Sequence, residues 1–265
     1  MSAMRLRETG YLFIDMANFR KYFEETVEGW AGVKAKINYQ ALVKTKDSRK
    51  AFIYDCINDI KDPNETDEEF NARLTEQEEE FATISSLQNT HIKRGSMAGT
   101  HKKRRQKGVD IALAVDCLRH AERGNMGVAL LMSGDGDFTP LVRALVEMGL
   151  FAWVMADKKH TSAELRLAAD RYIPLTLNDY YAYVDDDFRH RHPLPECFHS
   201  WNDLPTNGYK KVGDCTVNGI KAERFMNGEI GGMAIYFDAG NPLNVLGLLP
   251  NKIQLYCEMM FGPVQ

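Results

Sequence analysis

Over its first two thirds the chain alternates short, wholly apolar runs with longer stretches in which apolar residues recur every three or four positions. Tyr11-Leu12-Phe13-Ile14 predicts a buried strand that stops at Asp15, and Ala51-Phe52-Ile53-Tyr54 predicts a second. Between them, Phe19 to Lys44 mixes apolar and charged residues around Gly29 and Gly32, as a helix interrupted by a loop would. Residues 62 to 80 are rich in Asp and Glu, and Phe70, Leu74 and Phe81 at helical intervals predict an exposed acidic helix. His91 to Met97 is a candidate strand. Gly99 to Gly108, bounded by glycines, reads as a loop carrying Lys102, Lys103, Arg104, Arg105 and Lys107.

Downstream, Val109, Ala112, Leu113, Cys117 and Leu118 share one face of a helix from Val109 to Ala121, closed by Gly124 and Gly127. Val128-Ala129-Leu130-Leu131-Met132 then predicts a strand running into Ser133-Gly134-Asp135-Gly136-Asp137. Thr139 is placed to cap a helix with Pro140 as its first residue, running to Gly149. Leu150 to Met155 predicts a strand, Thr161 and Glu164 have capping-box spacing before a helix to about Arg171, and Tyr172-Ile173-Pro174-Leu175 predicts a last strand. Strand, helix and strand in repetition define βαβ units, hence an α/β fold with a mainly parallel sheet between helices.

The pattern breaks after Tyr183. Residues 9–183 form the predicted α/β domain, 184–195 a junction marked by Asp185-Asp186-Asp187 and a His/Arg/Pro stretch, and 196–265 a small β-rich region whose Asn218-Gly219 and Asn227-Gly228 pairs signal turns.

Composition narrows the class. With 44% apolar and 26% charged residues the chain of 265 is an ordinary globular protein, not a disordered or fibrous one. No apolar segment resembles a secretory leader or reaches membrane-spanning length, and five scattered cysteines without a CxxC pair fit a reduced, cytoplasmic setting. A net charge of −4 exerts no global pull on nucleic acid, so the local distribution matters more.

That distribution is suggestive. Ligands of an open parallel sheet sit outside the carboxyl ends of the strands. Asp15 occupies one such end, and Asp135 and Asp137 occupy another between glycines that permit tight turning. Asp110, in the first turn of the helix after the basic segment, can reach the same rim. Each has an ordinary reading as well: Asp15 as a helix cap, Asp135 and Asp137 as an Asx turn, Asp110 as a partner of the helix dipole. Together, four carboxylates repel unless protonated or bridged by a divalent cation, and Mg²⁺ among carboxylates is the chemistry of phosphodiester hydrolysis. Asp116, six residues past Asp110, lies about 120° around the helix and falls outside the set.

Three blocks carry a family resemblance: Phe13-Ile14-Asp15-Met16-Ala17-Asn18, Lys107-Gly108-Val109-Asp110-Ile111-Ala112-Leu113-Ala114-Val115-Asp116, and Leu131-Met132-Ser133-Gly134-Asp135-Gly136-Asp137-Phe138. In kind and order they resemble the signature blocks of NYN domains, particularly the LabA-like branch of the PIN-like nuclease superfamily, over roughly residues 9 to 178. The resemblance implies an α/β/α sandwich that binds Mg²⁺ or Mn²⁺ through Asp15, Asp110, Asp135 and Asp137 and cleaves RNA. It also implies Asn18 as a polar neighbour, Asp116 as a helper and Ser133 as a loop contact. The acidic segment 62–80 is longer than a compact NYN core needs, and the tail lacks the helical character of common RNA-binding appendages.

Rival chemistries lack their motifs. No GxGxxG follows the first strand, no GxxxxGK[ST] occurs, and an aspartyl phosphatase wants a second Asp where Ala17 stands. The competing reading is a noncatalytic module that binds RNA or a protein through the basic segment and tail. Neither the choice between RNA and DNA nor self-association is set by the sequence.

Overall fold

The computed structural model describes residues 9–98, 105–157, 159–193, 209–217, 220–227, 232–237 and 242–244. Its main sheet is built from β1 (Gly10–Asp15), β2 (Lys50–Asp55), β3 (Thr90–Arg94), β6 (Val128–Met132), β7 (Phe151–Asp157) and β8 (Arg171–Leu175), in the spatial order β3-β2-β1-β6-β7-β8. Every neighbouring pair is parallel. Intervening helices make the parallel crossovers: α1 (Met16–Phe23) and α2 (Tyr39–Val43) between β1 and β2, α3 (Asp67–Ser86) before β3, α4 (Val109–Glu122) before β6, α5 (Thr139–Glu147) before β7, and α6 (Ala163–Ala168) before β8.

Central strands are apolar throughout because both faces are covered. All of β6 and all of β1 beyond Gly10 are buried. Tyr11, Phe13, Phe52, Leu131 and Val154 form one core with Leu113 of α4, Leu145 of α5 and Leu165 of α6. Leu12, Ile14, Ile53 and Met132, equally buried, lie on the opposite face by the two-residue period of a strand.

The acidic helix is displaced from its expected span. α3 starts at Asp67 because Thr66 and Glu69 form a reciprocal capping box, and it ends at Ser86. Phe81 and Ile84 are its buried contacts, while Glu78 pairs with Arg94 and Glu80 reaches Arg20.

Three local expectations are corrected. Arg105–Lys107, expected as part of a basic loop, is strand β5, paired antiparallel with β4 (Ser96–Ala98), whose backbone groups satisfy its own. Lys102, Lys103 and Arg104 lie outside the described residues. Thr139 is the first residue of α5 rather than its cap, and its buried Oγ1 has no hydrogen-bond partner among the described residues. Ser162, not Thr161, caps α6, because the Thr161 hydroxyl donates to the carbonyl of Asp157 instead.

The chain divides into two compact units, residues 1–25 with 37–175, and residues 26–36 with 176–265. Within the second unit, α7 (Leu177–Ala182) begins where the Asp179 carboxylate accepts from the N–H and hydroxyl of Thr176, and α8 (Asp186–Arg191) begins at the side-chain cap on Asp185. The tail contributes an antiparallel four-stranded sheet, β12-β11-β10-β9, of β9 (Tyr209–Val217), β10 (Ile220–Asn227), β11 (Gly232–Phe237) and β12 (Pro242–Asn244). Val217 pairs with Ile220, and Asn227, the last residue of β10, pairs with Gly232; Asn218, Gly219 and Gly228 of the predicted turns lie outside the described residues. Among the described residues no helix is long and apolar enough to cross a membrane.

Candidate active site

Sheet order decides where the acids meet. From β1 the chain runs outward through β2 and β3 on one side and β6, β7 and β8 on the other, so a crevice opens where β1 and β6 lie side by side and their outgoing connections diverge. Asp15 ends β1, and Ser133 follows β6 directly.

Asp15 is 6% exposed and also caps α1, its Oδ1 accepting from the Asn18 backbone N–H at 3.2 Å. Its Oδ2 accepts from Ser133 Oγ, 1% exposed, at 2.9 Å. Ser133 Oγ in turn accepts from the Asp135 N–H, and Asn18 Oδ1 accepts from the Gly134 N–H at 3.1 Å. This network ties the end of β1 to the loop after β6. Asp135 closes a short 3₁₀ turn by accepting the Asp137 N–H on Oδ1 at 3.0 Å, leaving both carboxylates exposed.

Electrostatics link the four acids. Burial pushes the Asp15 carboxyl from an ordinary 3.8 up to about 6, against the lowering pull of the Asn18 and Ser133 hydrogen bonds, and the charges of Asp110 and Asp135 add to the rise. Asp110 is raised as well, first by burial and then by Asp135 and Asp137. Asp116 stands apart from this group: its carboxylate accepts from Tyr54 Oη at 3.3 Å and faces Lys93 at 3.7 Å and Arg119 at 3.6 Å. A cavity of about 290 Å³ lined by Tyr54, Lys93, Arg94, Gly108 and Val109 opens beside the first turn of α4. None of the four clustered acids lines it.

The donor set is all oxygen and strongly acidic, which suits Mg²⁺ or Mn²⁺ rather than softer metals. Among the described residues no three His, Cys, Asp or Glu side chains stand close enough to enclose an ion by themselves. Charge coupling acts over longer distances than ligation, so the two observations agree. Mg²⁺ commonly engages one or two carboxylates and keeps its waters, so an ion at this edge would call on no more than two of the four acids.

Periodicity and motif reading missed two groups at the same edge. Asp55 ends β2 and is bound by Arg20 at 2.8 Å, with Glu80 at 3.3 Å on the same guanidinium, so its charge is already neutralised. Asp157 ends β7 and accepts on Oδ1 from the N–H groups of Lys159 and His160 and from His160 Nδ1 at 2.8 Å. An acid at the end of β1, β2 and β7 alike was the available signal; its partners were not visible in the sequence.

A parallel sheet in this order, with helices between its strands, defines a doubly wound α/β protein, a class whose ligands sit at the carboxyl edge of the sheet. The NYN domain family matches residues 11–177, and the chain belongs to that family, which lies within the PIN-like superfamily and whose members are usually nucleases. No curated protein matches the chain. Among solved structures it is similar to a protein of unknown function from Vibrio parahaemolyticus, at 15% identity over 67% of this chain and 96% of that one, with a TM-score of 0.45.

Proposed function

We propose that this protein is a metal-dependent endoribonuclease that hydrolyses RNA phosphodiester bonds in the crevice between β1 and β6. The observation that carries the reading is the coupling of Asp15, Asp110, Asp135 and Asp137 around that crevice, with Asp15 held largely buried at a raised pKa of about 6. Keeping a carboxylate dry and among like charges costs stability, and a cation supplied with substrate removes that cost. Asp15, with one of Asp110 and Asp135, would hold Mg²⁺ or Mn²⁺, the other acids, Asp137 among them, lying beside it. When bound, the ion supplies activation of a water and charge neutralisation at the scissile phosphate.

The remaining residues have supporting parts. Ser133 and Asn18 fix the Asp15 carboxylate and the loop that carries Asp135. The basic segment Lys102, Lys103, Arg104, Arg105 and Lys107 immediately precedes Asp110 in the chain and would hold the strand's phosphates. A cytoplasmic location and a reduced state accord with the free, buried thiols of Cys56 and Cys117.

A second reading, a noncatalytic RNA-binding or protein-binding module, is favoured by one observation: no three described ligand side chains enclose an ion-sized site. Incubation of labelled single-stranded RNA and DNA with the full chain in Mn²⁺, Mg²⁺ or EDTA separates the two. Cleavage in metal that is lost in EDTA and in an Asp15→Asn/Asp135→Asn double variant supports the nuclease. RNA binding without cleavage under every condition supports the module, and normal turnover by the double variant eliminates the proposed site.

A further inference from the structure

Past the carboxylates, along the same sheet edge, the loop after β7 presents an aromatic ring to solvent in a fixed orientation. The His160 ring lies on that of Tyr22 with centroids 4.5 Å apart and planes 8° from parallel. Its Nδ1 meets Asp157 Oδ1 at 2.8 Å, and because a carboxylate only accepts, the imidazole proton sits on Nδ1. Asp157 is 8% exposed and is itself fixed by the backbone N–H groups of residues 159 and 160, so the ring is held in its plane by a rigid partner. Yet the His160 side chain is 44% exposed. With one face covered by Tyr22, the exposed surface is the other face and the Nε2 edge.

Position joins this ring to the carboxylate crevice. The carbonyl of His160 and the Cα of Thr161 pack against Gly134 so closely that a Cβ there would stand 3.2 and 3.3 Å from them, and Gly134 donates to Asn18 next to Asp15. Lys21, whose Nζ lies 4.8 Å from the Tyr22 ring centroid, and Lys159 are exposed beside the stack. A flat aromatic face, oriented before binding, with cations beside it, is what a splayed-out nucleobase and its flanking phosphates require.

We propose that His160, backed by Tyr22 and oriented by Asp157, is a stacking platform for one unpaired nucleobase of a single-stranded nucleic acid lying across the carboxylate crevice. The inference rests on the nucleic-acid reading above. Single-stranded oligoribonucleotides carrying 2-aminopurine at successive positions report it, titrated with the full chain in EDTA so that no cleavage intervenes. At one position the parent protein is expected to quench the fluorophore, and His160→Ala and His160→Gln are expected to lose that quench and about tenfold in affinity. His160→Phe, which keeps a flat ring, is expected to retain both. An abasic nucleotide at the same position should lower the parent's affinity and erase its difference from His160→Ala. If the parent binds RNA but His160→Ala binds with the same affinity and quench, losing only thermal stability, the ring merely covers Tyr22 and the platform is overturned while the RNA reading stands. A parent that binds no single strand overturns both.

Discussion

Ser133 Oγ donates to Asp15 Oδ2 at 2.9 Å across the junction of β1 and β6, and both side chains are buried. A hydrogen bond to an ionised, desolvated oxygen favours the charged form. Ser133→Ala removes it and also leaves the Asp135 N–H without its acceptor. Mn²⁺ affinity at pH 7, measured by titration calorimetry, is expected to fall about tenfold or more, the equivalent of one charge-assisted bond. An unchanged affinity would show that Asp15 needs no help from Ser133.

Asp15 also sets a pH dependence. Between the ordinary 3.8 and about 6 the unfolded chain has released this proton while the native state still holds it, so metal-free stability falls as pH rises through that window. The difference corresponds to a penalty of about 3 kcal/mol, absent at low pH and fully present once the native carboxyl has ionised. In EDTA, Asp15→Asn is expected to gain about 1 to 2 kcal/mol over the parent at pH 7 and nothing near pH 3.5, less than the full amount because an amide matches the Ser133 and Asn18 donors less well. Urea unfolding at the two pH values measures it; equal stability at pH 7 would contradict the burial penalty. Because metal and proton compete for this carboxylate, Mn²⁺ affinity should rise with pH up to about 6.

Asp15→Asn, Asp110→Asn and Asp135→Asn are each expected to lower RNA cleavage by at least about a hundredfold with the fold retained, since an amide is nearly isosteric but lacks the charge a divalent ion needs. Asp137→Asn should cost less. Asp116→Asn, whose carboxylate is occupied by Tyr54, Lys93 and Arg119, should leave turnover within about threefold. A loss at Asp116 equal to that at Asp15 would move the site along α4.

Two glycines in one loop should differ in cost. A Cβ on Gly134, which is buried, meets backbone at 3.2 and 3.3 Å, whereas a Cβ on half-buried Gly136 meets Ser162 Cβ at 3.2 Å and Ser162 Oγ at 3.0 Å, of which only the hydroxyl can rotate away, by giving up its cap on α6. Gly134→Ala is therefore expected to lose about 1 to 3 kcal/mol and most activity, Gly136→Ala about half that or less. Denaturant midpoints with matched activity assays decide the order; a reversed order would place the loop differently.

Replacing Lys102, Lys103, Arg104 and Arg105 by Ala is expected to weaken RNA binding and flatten its salt dependence, by about 0.7 in the logarithmic slope for each phosphate no longer neutralised, with Mn²⁺ affinity unchanged. The same affinity and slope as the parent would send the strand by another route.

Much of the architecture is local information. A strand buried on both faces must be apolar at every position, so Tyr11 to Ile14 and Val128 to Met132 announce themselves, and their period contrast with the Val109 helix is enough for an α/β fold. The acids were legible for a related reason: Asp15 and Asp135 interrupt or follow apolar runs where a carboxylate has no local use beyond a cap, and the six-residue offset of Asp116 already turned it from Asp110. What the sequence does not contain is the order of strands. Ser133 meets Asp15 across 118 residues only because β6 lies against β1, and Arg20 meets Asp55 because β2 lies on the other side. The same order, with the loop after β7 folding over Gly134, lays His160 on Tyr22, and it denies Thr161 its cap by offering the Asp157 carbonyl first. Periodicity reports which side of an element is buried; it carries no record of which distant element buries it, because that choice is made by the packing of the whole sheet.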